Sequence, residues 1–163
     1  MTNAYHPEAW HELYVTLGGV LAALTGLLFV ATSLHVEKIA KTPHWARRIF
    51  ANTFSLIGAL IETLLVLIPQ PPHWLGTELI VTNLFFLLFL MLPLIRSWIA
   101  TVPGLPPLRL FAGTAAWLLG AAGGAGLVFH EGGGMFLVTA SCIVLIWVCV
   151  WNAWSLLIAN YQG

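Results

Sequence analysis

Residues 50–68 read FANTFSLIGALIETLLVLI, nineteen residues with a single charge, Glu62. At about 1.5 Å per residue such a run crosses a hydrocarbon core of roughly 30 Å. Four basic residues closely precede it (Lys38, Lys41, Arg47 and Arg48), and the turn Pro69-Gln-Pro-Pro72 ends it. A carboxylate inside a membrane span costs several kcal/mol unless it is neutral, paired or facing water, so its default reading is functional.

The rest of the chain repeats the pattern. Hydrophobic residues make up 60% of the 163 and charged residues only 7%. A water-facing domain of this size carries about 25% charged residues. Further apolar runs are expected at about 14–34, 78–95, 110–129 and 135–158. Together with 50–68 they predict an all-α integral membrane bundle of five transmembrane helices, one domain over residues 1–163. Net charge is zero and Asp is absent, which leaves no basic field for nucleic acid and no Ser-His-Asp set.

All six Lys and Arg fall in two loops, 34–50 and 95–110, which five alternating spans place on one side. The positive-inside rule makes that side cytoplasmic, with the N-terminus outside and the C-terminus inside. The charges agree: six basic residues less Glu37 give +5 inside, Glu8, Glu12, Glu78 and Glu131 give −4 outside, and Glu62 accounts for the remaining −1. No basic residue precedes the first apolar run, unlike the start of a cleavable signal peptide.

Small residues mark helix contacts. Gly18, Ala22 and Gly26 lie four apart in the first span, and the fourth contains GAAGGAG at 120–126. Such faces let helices approach closely, within a protomer or between copies. Cys142 and Cys149 are seven residues apart, a helical rise of about 10 Å that no disulfide bridges, so both read as small packing hydrophobes. Trp147, Trp151 and Trp154 read as an interfacial aromatic belt.

Two groupings could carry chemistry. Glu62 precedes Pro69 by seven residues and Asn83 follows Glu78 by five, which gives them similar depth on consecutive spans. Asn83, with Thr63 and Thr82 nearby, could hydrogen-bond Glu62, either as polar glue between two helices or as an ion- or proton-binding site. The second grouping lies on the outer face: His6, Glu8, His11, Glu12, His73, Glu78, His130 and Glu131. Glu8, His11 and Glu12 can share a helix face, and imidazole with carboxylate suits a transition metal such as Zn, Fe or Mn. One Glu-x-x-His spacing is present, but the second that a di-iron bundle uses is not.

Residues 10–39, WHELYVTLGGVLAALTGLLFVATSLHVEKI, resemble the opening of a group of small uncharacterised bacterial multipass inner-membrane proteins. Some of these are labelled modulator of a membrane-bound ATP-dependent protease. The resemblance covers the first span and its flanks, carries no catalytic signature and implies the bacterial inner (plasma) membrane.

Three functions fit these features. The leading one is a homo-oligomeric channel or proton- or cation-coupled transporter, surrounded by membrane lipid and using Glu62. The others are a modulator or accessory subunit of a larger membrane complex, and a metal-dependent enzyme with its site on the outer face. Topology is the first testable consequence. In a background lacking Cys142 and Cys149, a cysteine at Pro71 should react with an impermeant maleimide from outside, and one at Thr42 only from inside. The reverse pattern would invert the bundle.

Overall fold

The computed structural model describes residues 2–34, 36, 43–91 and 107–161. Two single 3-10 turns, Thr2–Tyr5 and Pro7–Trp10, lead into α1, His11–Leu34. Helix α2 spans Pro43–Leu67, α3 spans Pro72–Phe86 and runs on as a π-helical turn over Leu87–Met91, α4 spans Pro107–Phe129, and α5 spans Gly134–Tyr161. No strand occurs among the described residues. Five helices are long and apolar enough to cross a membrane. The loop residues carrying Lys38, Lys41 and Arg96, the expected end of the third span at 92–95 and residues 101–106 of the second basic loop lie outside the described residues.

Helix limits differ from expectation where proline was read as a break. The third helix starts at Pro72 and not at residue 78. Proline in a first turn has no intrahelical N–H bond to lose, and its fixed φ already suits a helix. The Pro71 carbonyl accepts from Trp74 N–H at 3.0 Å and from Leu75 N–H at 3.2 Å. Helix α2 likewise starts at Pro43, so residues 43–48 of the expected basic loop are helical.

Between α2 and α3 the turn is tied by one side chain. Gln70 Nε2 donates to the Leu65 carbonyl at 3.3 Å and to Glu78 Oε2 at 2.8 Å. One amide thus satisfies a terminal carbonyl of α2 and anchors α3 beside it. The turn from α4 to α5 uses the other device, left-handed backbone. His130, Gly132 and Gly133 have φ of 58°, 69° and 73°, and Glu131 N–H reaches back to the Gly126 carbonyl at 3.1 Å. That is the long bond of a Schellman ending, with histidine in the position glycine usually fills.

Helix α4 packs most extensively, against α5 and α3; α2 bridges α5 and α3, and α1 leans mainly on α2. The closest crossing joins α3 to α4, where a Cβ built on Gly76 would lie 2.5 Å from the Gly124 carbonyl oxygen and one on Gly124 would lie 2.7 Å from that of Gly76. The small face of the fourth span is therefore consumed inside the protomer. That of the first is consumed only in part: a Cβ on Gly18 would lie 3.4 Å from Thr63 Cγ2, whereas Gly19 and Gly26 would carry one without meeting anything within 4 Å. Only Tyr14 and Leu21 of α1 are fully buried.

The N-terminal turns close one end of the bundle. Pro7 and Ala4 are buried, Tyr5 Oη accepts from Gly133 N–H at 3.2 Å, and Trp10 meets Phe136 edge-on at 4.8 Å. Below this cap the buried core divides into two apolar layers. One contains Val66, Leu75, Leu79, Leu127, Met135 and Val138 near the capped end. The other gathers Leu21, Leu56, Phe86, Trp117 and Leu145 further down.

The two small faces make opposite predictions. Gly124→Ala should cost roughly 1–3 kcal/mol, as overpacking does when the opposing group is backbone. Gly19→Ala should leave stability unchanged or slightly raised. Thermal unfolding of both variants in detergent micelles, followed by circular dichroism, checks the pair.

Candidate functional site

Between the two apolar layers lies a group of polar side chains. On the inner stripe of α2, Asn52, Leu56, Ala59, Thr63 and Val66 recur at intervals of three and four and are all buried, the repeat of a helix face turned inward. Glu62 adjoins Thr63 on this stripe, and both are completely buried. The other helices bring Tyr14 from α1, Asn83 from α3, and Thr139 and Cys142 from α5, none more than 8% exposed. Helix α4 contributes space: a Cβ at Gly120 would collide with the Asn83 amide. All five helices therefore meet at the level of Glu62.

Most hydroxyls here are spent locally. Thr63 Oγ1 donates to the Ala59 carbonyl at 2.9 Å, and Thr139 Oγ1 to the Met135 carbonyl at 2.8 Å. Tyr14 Oη and Thr139 Oγ1 are 3.0 Å apart and share one proton in a hydrogen bond. These bonds leave little for the carboxyl. Cys142 Sγ lies 3.5 Å from Glu62 Oε2 as a weak thiol donor, and Asn83 borders the same carboxyl. The Asn83 Nδ2 group also donates to the Leu79 carbonyl at 2.8 Å. Among the described residues, Glu62 Oε1 and Asn83 Oδ1 have no hydrogen-bond partner, and no cation pairs with Glu62.

Asn83 thus sits where its depth predicted. Cys142 does not behave as the packing hydrophobe expected of it, because its thiol is turned to the carboxyl. Both cysteines are free and buried. The missed signal was depth: Cys142 lies seven residues into its span from Met135, as Glu62 lies seven before Pro69. Tyr14 had no signal of this kind, for it stands near the start of its span and meets α5 only through tertiary packing.

The outer His and Glu residues are not drawn into a site. His6, Glu8, His11, Glu12, His73, His130 and Glu131 are exposed, each on a turn or a helix end. Glu78 is half-buried and bonded by Gln70. His73 lies against Trp74 and His130 against Tyr5, with ring centroids 5.8 Å apart in each pair. Among the described residues no three His, Cys, Asp or Glu side chains are grouped to hold a metal ion. A shared side of the bundle did not mean lateral proximity. Trp147, Trp151 and Trp154 are 50%, 43% and 64% exposed on the outer surface of α5, which suits lipid contact.

Compared with protein families, with curated proteins and with solved structures, the chain matches none of them.

Proposed function

We propose that this is a proton-translocating membrane protein in which Glu62 takes up and releases the proton. One observation carries the reading: a carboxyl group with no exposed surface, bordered by Cys142 and Asn83, has among the described residues an unbonded oxygen and no cation paired with it. An ionised carboxylate in such a place is strongly disfavoured, so the group is stable when it holds a proton. The uncommitted acceptors are few. Hard metal cations are held by about six oxygen ligands, whereas Glu62 Oε1 and Asn83 Oδ1 are the two oxygens left unbonded around this carboxyl. A proton needs only one.

Enclosure within one protomer shapes the mechanism. Glu62 does not line a surface that a second copy could complete, so each protomer carries its own site. Loss of the proton leaves a charge that Cys142 and Asn83 alone stabilise poorly, and the bundle then gains by admitting water or by shifting its helices. This couples proton occupancy to conformation, the property a transporter needs.

The test compares wild type with Glu62→Gln in proteoliposomes, following internal pH under an imposed gradient. Gln preserves shape and a hydrogen-bonding head but cannot carry the proton. Flux in the wild type that falls to the level of protein-free vesicles in the variant is the expected result. Equal flux in both, or none in either, would reduce Glu62 to a polar contact between helices.

Self-association is part of the same proposal and rests on α1. Its small face, Gly19, Ala22, Ala23 and Gly26, is exposed, and lipid fills a flat face less well than a second helix does. We expect a second copy of the chain there. With the native cysteines removed, Gly26→Cys should give a disulfide-linked dimer in native membranes on mild oxidation, whereas cysteine at Ile143, exposed on α5, should not. Monomer throughout would leave the face to lipid or to a different partner.

A further inference from the structure

Buried polar atoms without partners are unevenly distributed. Towards the capped end, from Glu62 upward, the buried hydroxyls of Tyr14, Thr139 and Thr63 are all bonded. In the opposite direction the buried Ser141 hydroxyl also donates, to the Ala116 carbonyl at 2.7 Å, but an amide and an indole are left over. Asn52 is 3% exposed and Trp117 has no exposed surface, yet both side-chain polar atoms of Asn52 and the Trp117 Nε1 lack a partner among the described residues. With Glu62 Oε1 and Asn83 Oδ1 they make five orphaned atoms on four side chains.

Their positions form a descending series. Glu62, Asn83 and Gly120 share one level, as the approach of Gly120 to the Asn83 amide requires. Trp117 is one turn below Gly120 on α4, and its ring lies over Gly58, one turn below Glu62 on α2. Phe86 stacks on the same ring at 5.0 Å with planes 7° apart. Asn52 lies lower again, where its backbone carbonyl accepts weakly from Cys149 Sγ at 3.7 Å. The distance from Glu62 to Asn52 along α2 is ten residues, about 15 Å.

Leaving a buried polar atom unbonded is destabilising, and buried water, making about three hydrogen bonds each, is the usual remedy in an interior. We infer that Glu62 communicates with the end of the bundle where α2 begins, through internal water held by Asn83, Trp117 and Asn52, while the capped end stays dry. The inference rests on the proton-binding reading of Glu62 and adds to it the side from which the proton arrives. Asn52 offers both a donor and an acceptor, so it can orient water at the lower end. Trp117 donates only, and its ring, stacked on Phe86, narrows the path midway. It passes no proton itself and holds the water that does.

Two measurements test this. In wild-type protein in bilayers of deuterated phosphatidylcholine, the Trp117 indole N–H, identified by its loss in Trp117→Phe, should show magnetisation transfer from water by solid-state NMR. A Trp117 proton isolated from water overturns the inference without any core variant having to fold. The second measurement is deuterium exchange at the protonated carboxyl of Glu62, read by the infrared carbonyl band that Glu62→Gln removes. Asn52→Leu, which keeps the volume and removes both polar atoms, should slow that exchange roughly tenfold, the factor worth one lost hydrogen bond. Tyr5→Phe, which removes the contact of the N-terminal cap with Gly133 N–H and lies outside the site, should leave it unchanged. Faster exchange in Tyr5→Phe with no slowing in Asn52→Leu would reverse the direction of access. Unchanged exchange in Asn52→Leu, with flux still lost in Glu62→Gln, would remove the route and leave the proton site standing.

Discussion

A carboxyl group cannot be carried into hydrocarbon without something to answer for it. Outside water the charged form is penalised by several kcal/mol, and that penalty falls on the whole fold unless a cation, a proton or water relieves it. At Glu62 the described protein supplies no cation. It supplies instead a thiol, an amide and a shell of hydroxyls already bonded to backbone or to each other. Every helix reaches this point, which is why Glu62, Thr63, Asn83, Tyr14, Thr139 and Cys142 lie close to one level between two apolar layers, with Asn52 set apart further down α2.

Close approach makes that convergence possible. Without a hydrophobic force to draw helices together in lipid, contact has to come from shape. The glycines of α4 let the backbone of α3 pass within touching distance at Gly76 and Gly124 and leave room for the Asn83 amide at Gly120. A larger residue at any of these places would push Asn83 away from the carboxyl it borders. The glycine content that would weaken a water-soluble helix is here what fits the polar group to its pocket. Helix α1 lacks this constraint along most of its length. It is attached through Tyr14 and Leu21, with Gly18 against Thr63, while Gly19 and Gly26 face nothing within the protomer.

Composition and periodicity were enough to read five helices, because a chain with 7% charge leaves few other arrangements. Their ends were less legible. Pro72 looked like a stop and is a start, since the same missing N–H that breaks a helix interior is harmless in a first turn. The level of Glu62 and Asn83 could be counted from the turn that joins their spans. Cys142 was equally countable from the opposite turn, but a thiol among Val, Ile and Leu carries no mark of polarity. Asn52 and Trp117 were beyond such counting altogether: which face of α2 turns inward, and which aromatic of α4 lies against it, depends on packing between helices distant in sequence. Depth can be read one span at a time. Adjacency in the plane of the membrane cannot, and for that reason the outer His and Glu residues shared a side without sharing a site.

The two ends of the bundle are unlike in a way that follows from their polar chemistry. At the capped end each buried hydroxyl has found a partner one turn back or across a single helix contact, and Tyr14 and Thr139 satisfy one another. Satisfied groups of that kind leave water nothing to bind, so an apolar layer above Glu62 can close tightly. Below it, the amide of Asn52 and the indole N–H of Trp117 have no partner among the described residues. Asn52 and Trp117 both lie on the side of Glu62 away from the cap, so among the described residues the unanswered polar atoms, unlike the bonded hydroxyls around Tyr14 and Thr139, favour one end of the bundle.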